Sequence, residues 1–69
     1  MKPIKVTPRQ RDVLNALCEF GQTDLVAYTL KLTTTGVEMH ISRAMRANGY
    51  PNRLTLALAW DRQNRKENT

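Results

Sequence analysis

Cysteine, histidine and tryptophan each occur once in this 69-residue chain, which also holds only 3 glycines, 3 prolines and 6 acidic residues. A lone Cys18 excludes an internal disulfide. One Cys and one His cannot furnish a zinc site at finger-like spacing, so the fold is expected to hold without staples or metal. The glycines do not form a phosphate-cradling loop. No paired carboxylates and no nucleophile with a base stand at useful spacing, so no enzyme and no cofactor are expected. No apolar run approaches the roughly 18 residues of a membrane span, and Met1-Lys2-Pro3-Ile4-Lys5-Val6 has no apolar stretch behind its charged start. The expectation is a cytoplasmic protein. At this length about 60% of the unfolded surface is buried on folding, which allows one small domain without a large enclosed site.

Acid is scarce relative to base. Against 6 Asp+Glu stand 11 Lys+Arg, giving a net charge of +5 and a pI near 10.0. A positive field on so small a body attracts polyanions. Hydrophobic residues make up 41%, well above the level at which a chain cannot fold alone.

The pattern predicts an all-α, four-helix domain over 7–62, preceded by an arm (1–6) and followed by a polar tail (63–69). Thr7-Pro8-Arg9-Gln10 combines a hydroxyl N-cap, proline at the first helical position and glutamine at N3, the signature of a capping box. Val13, Leu14, Leu17 and Cys18 then form one apolar stripe, and Phe20-Gly21 closes the helix. Thr23-Asp24 offers a cap and an acidic first turn to a second helix through Leu30, with Leu25, Val26 and Leu30 facing inward. After the tight connection Lys31-Leu32, Thr33-Thr34-Thr35 opens a third helix to about Ala47, whose core face is Val37, Ile41, Ala44 and Met45. Asn48-Gly49 and Pro51 stop it. Asn52 caps a fourth helix to about Arg62, with Leu54, Ala57, Leu58 and Trp60 along its apolar side.

The short connection between the second and third helices is the spacing of a helix-turn-helix. Thr7-Pro8-Arg9-Gln10-Arg11-Asp12-Val13-Leu14 resembles the T-P-R-E-R-E-V-L opening of the LuxR/FixJ-type DNA-binding domain. Val26-Ala27 with Leu30 is similar to that family's I-A-x-x-L, Val37-Glu38-Met39-His40-Ile41-Ser42-Arg43 to V-K-V-H-L-S-R, and Gly49-Tyr50-Pro51-Asn52-Arg53 to G-V-x-N-R. Region four of sigma factors shares the P-x-R-Q-R-x-V-L opening, but the G-x-x-N-R step and the fourth helix favour the LuxR type. The resemblance covers about Val6 to Trp60. It implies a bacterial or phage transcription regulator, here a stand-alone LuxR-type domain, whose third helix reads double-stranded DNA and whose fourth pairs two copies.

Helical spacing reaches the same third helix. With its core face fixed, a 100° step per residue turns Thr35, Glu38, Met39, Ser42 and Arg46 outward and leaves His40 and Arg43 on the flanks. Ser42 can bond several base edges, Met39 can touch a thymine methyl, and Glu38 can accept from cytosine N4. Arg43 and Arg46 suit phosphate or guanine. Thr33, Thr34 and Thr35 at the helix start form a candidate phosphate clamp. Glu38 departs from the family's basic residue, and a carboxylate facing phosphates costs affinity unless a donor meets it. Gly36 stands where the family has threonine, which implies a pliable first turn.

Leu54, Leu56, Leu58, Ala59 and Trp60 put more apolar surface on the fourth helix than one core face needs, which predicts a homodimer interface. The alternative is a protein-interaction module that binds and inhibits another regulator or RNA polymerase with the same fold.

Overall fold

The computed structural model describes residues 3–67, with side chains as far as Asn64. Four helices follow one another, α1 (Pro8–Phe20), α2 (Thr23–Leu30), α3 (Thr34–Asn48) and α4 (Arg53–Glu67), with no strand among the described residues. The class is all-α, and the order of helices is the one the sequence predicts.

Local chemistry explains most boundaries. At α1 the capping box closes in both directions: the Gln10 amide donates to Thr7 Oγ1 at 3.2 Å and the Thr7 amide to Gln10 Oε1 at 3.1 Å. Gly21 then adopts φ 75°, and its N–H returns to the Leu17 carbonyl at 2.8 Å. For α2 the residue at the N-cap is Gln22, which makes no side-chain cap bond, rather than the expected Thr23-Asp24. Thr23 is already helical, and Asp24 still supplies the acidic first turn. The other end of α2 is held more firmly. Lys31 takes the left-handed conformation at φ 56°, the Leu32 amide reaches back to Ala27 O at 2.8 Å, and Arg9 of α1 donates to the Leu30 carbonyl at 3.1 Å. Thr33 caps α3 through the Gly36 amide at 2.9 Å, and Asn52 caps α4 through the Thr55 amide at 2.9 Å.

The first helix is the hub, packing against α2, α3 and α4, while α3 also touches α2 and α4. Val13, Leu14, Ala16 and Leu17 of α1 meet Val26 and Ala27 of α2, Val37, Ile41 and Ala44 of α3, and Leu56 and Trp60 of α4 in one core. Met45 is half-buried against it.

The arm completes this core. Ile4 is buried, its amide donates to Gln63 Oε1 of α4 at 2.8 Å, and the Lys5 backbone is clasped on both sides by Asn48 of α3. Gln63 therefore belongs to the packed body rather than to a solvated tail, and α4 continues past the expected Arg62 to Glu67. Met1, Lys2, Asn68 and Thr69 lie outside the described residues.

Three expectations about burial are corrected. Leu25, assigned to the core side of α2, is 44% exposed, because Val26 and Ala27 fill the space against α1 and α3. Cys18 is exposed at the α1–α4 seam rather than buried in the stripe. The largest change concerns α4. Leu56 and Trp60, both expected at the dimer interface and Trp60 also on the core side, are buried in this chain's own core, with Ala59 half-buried beside them. Leu54 and Leu58, expected both on the core side of α4 and at the dimer interface, are the exposed ones at 65% and 56%. Two residues on a helix differ by 200°, so the two leucines lie nearly opposite Leu56. The indole decides which side faces inward, since Trp60 buries its ring while Nε1–H donates to Asn15 Oδ1 of α1 at 2.8 Å.

Candidate nucleic-acid interface

The core face of α3 is occupied by Val37, Ile41 and Ala44, and that fixes what the helix shows to solvent. Thr35, Glu38, Met39, Ser42, Arg43 and Arg46 line one shallow, open concavity along its outer side, all six exposed. These are the outward residues derived from helical spacing, together with Arg43 from the flank. Fifteen residues of helix at 1.5 Å per residue extend about 22 Å, and an α-helix about 10–12 Å across matches the width of a major groove, about 12 Å. His40 is half-buried on the flank and lies outside the concavity.

The three threonines divide between two tasks. Thr33 Oγ1 accepts the Gly36 N–H as the cap of α3, whereas Thr34 and Thr35 are helical and exposed. Gly36 has a local reason to lack a side chain, since a Cβ there would stand 3.1 Å from the capping hydroxyl. Its amide is engaged, so the first turn is anchored where the sequence suggested pliability.

Charge on this face is arranged unevenly. Arg43 and Arg46 stand exposed on the concavity and take part in neither of the ion pairs found among the described residues, Arg9–Asp12 and Arg53–Glu38. The second pair reaches the face itself, because Arg53 Nη2 of α4 lies 3.5 Å from Glu38 Oε1. The carboxylate expected to cost affinity among phosphates has a cation beside it. Sequence reasoning missed Arg53, treating it only as part of the G-x-x-N-R step. The available signal was the four-residue connection Gly49–Asn52, which keeps the start of α4 close to α3.

The expected dimer surface is reduced to its exposed members. Leu54 and Leu58 stand one turn apart on the outer side of α4, while Leu56, Ala59 and Trp60 are used within the chain. Tyr28 at 85% and Leu25 on α2 form a second exposed apolar pair, absent from the sequence-based site. Among the described residues no group of three His, Cys, Asp or Glu side chains could hold a metal ion, and no helix is long and apolar enough to cross a membrane. No family model matches the chain, and no curated protein or solved structure matches it either.

Proposed function

We propose that this chain is a DNA-binding transcription regulator that lays α3 in the major groove, with α2 and α3 acting as a helix-turn-helix. The observation that carries this reading is the single outer stripe Thr35, Glu38, Met39, Ser42, Arg43 and Arg46, a mixture of hydrogen-bonding, apolar and cationic groups on one helix of a chain with net charge +5. Arg43 and Arg46 supply phosphate or guanine contacts, Ser42 and Glu38 read base edges, Met39 packs on a thymine methyl, and Thr34 and Thr35 approach a phosphate at the helix start. Two copies associate through Leu54 and Leu58, which places two half-sites about one helical turn apart.

Exposed Leu54, Leu58, Met39 and Tyr28 favour a second reading, in which the same fold binds another regulator or RNA polymerase. The two separate in one experiment: binding to a pool of random duplexes at two salt concentrations, with sequencing of what is retained. A regulator that reads DNA enriches a two-fold symmetric site and loses affinity steeply with salt. Retention of nothing, or of every sequence equally at low salt only, rejects DNA reading and leaves the protein-binding module.

A further inference from the structure

Arg53 opens α4, where the Asn52 side chain caps the Thr55 amide and fixes the first turn. A cation at a helix N-terminus opposes the helix dipole, so this position does nothing for the stability of α4. Its contact lies across the interface on α3, where Nη2 meets Glu38 Oε1 at 3.5 Å with both side chains half-exposed. An exposed pair of this kind contributes little to folding. It does change what Glu38 presents. Oε1 faces a guanidinium, Oε2 takes no part in that contact, and the carboxylate sits in the same concavity as Ser42, Arg43 and Arg46.

We infer, building on the DNA-reading role proposed for α3, that Arg53 is a specificity-determining positioning residue: it neutralises and orients Glu38 so that the carboxylate accepts the exocyclic amino group of cytosine. An unpaired carboxylate in a groove walled by phosphates is repelled, whereas the pair enters with no net charge. Closing the groove around the pair removes water and strengthens the attraction that orients it. Of the major-groove base edges, cytosine presents its N4 amino donor without an adjacent ring-nitrogen acceptor, and this matches an acceptor-only side chain.

The test is duplex selection with the full chain as wild type, Glu38→Gln, Arg53→Gln, Arg53→Lys and the double variant Glu38→Gln/Arg53→Gln, each checked for unchanged helical content. Wild type should prefer cytosine at one position per half-site by roughly fivefold to a hundredfold. Glu38→Gln should move that preference to adenine, which glutamine bonds in bidentate fashion. Arg53→Gln should cut the cytosine preference by about twofold to fivefold, the range of an exposed ion pair. Arg53→Lys should restore part of it, and Arg53→Gln should alter base preference no further once Glu38 is glutamine. A uniform loss of affinity in Arg53→Gln with base preference intact would make Arg53 a phosphate contact and overturn the inference while leaving the DNA-reading role standing. Selection of no site by wild type overturns both.

Discussion

The third and fourth helices have the same length, fifteen residues each, and both pack against α1, yet their surfaces are organised differently. On α3 the apolar and polar residues separate: Val37, Ile41 and Ala44 go inward, and the outer stripe carries hydroxyls, a carboxylate and two arginines. At the start of α4 leucines occupy every second position, Leu54, Leu56 and Leu58, so both sides are apolar, and of the large side chains only Leu56 and Trp60 are buried in the core. A helix with one apolar face leaves its other face free to evolve chemistry. A helix with two must find a second surface or leave leucine in water. The two helices thus divide the proposed roles, recognition on α3 and association on α4.

The largest effect is expected on the inward side of α4. Trp60→Ala should destabilise the chain by about 3–5 kcal/mol, and Leu56→Ala by about 2–5 kcal/mol, measured by denaturant unfolding, because both leave a cavity against α1. For a small domain either loss approaches the whole stability. If Leu56 and Trp60 served a second chain instead, the loss would disappear on dilution to monomer. Asn48→Ala comes next, at about 1–3 kcal/mol, since its amide clasps the Lys5 N–H and carbonyl and also donates to Ala44 O. The same substitution should speed hydrogen exchange in the arm.

How much of this was legible in the sequence follows from the same contrast. The start of α1 was readable because a capping box is local, with Thr7 and Gln10 meeting across three residues. The outer face of α3 was readable because its core positions leave a single consistent rotation of the helix. The rotation of α4 was not readable, since Leu54, Leu56, Leu58 and Trp60 fit two faces, and what selects one is the Asn15 carboxamide on α1, 45 residues away. The fates of Gln63 and Arg53 escaped for the same reason. Each is a polar side chain whose partner, the Ile4 amide or Glu38, lies on another element; only for Arg53 did a local feature, the short connection Gly49–Asn52, point to the neighbouring helix.

Smaller effects probe the outer faces. Arg43→Ala should leave folding unchanged and weaken duplex binding by roughly tenfold at 0.1 M salt, lowering the slope of log K against log salt by about 1. Ser42→Ala should alter base preference with the slope unchanged. Unaltered affinity in both would remove α3 from the groove. Leu54→Gln and Leu58→Gln should shift unfolding free energy by no more than about 0.5 kcal/mol, as exposed substitutions do. Their effect belongs in sedimentation, where a dimer present in the wild type should become monomeric. If stability falls by several kcal/mol instead, the two faces of α4 have been assigned the wrong way round.

The smallest expected effect sits at the seam between α1 and α4. The Cys18 thiol faces the Ala57 carbonyl with Sγ 3.5 Å from the oxygen, and partial burial followed by the Asp61 carboxylate pushes its pKa up. Both influences disfavour the thiolate in the folded chain, so the contribution to stability is full below the pKa of the unfolded thiol and is lost as pH rises through the folded value. Two measurements follow. At pH 8 iodoacetamide should alkylate the folded chain more slowly than the unfolded chain, because the thiolate is the reacting species. Asp61→Asn should narrow that difference without closing it, since burial is the larger cause. The alkaline decline of the wild-type melting temperature should also be slightly steeper than that of Cys18→Ala. Equal alkylation rates for folded and unfolded chains would mean that α4 does not cover this side of α1, and with it would go the packing that turns Leu54 and Leu58 outward.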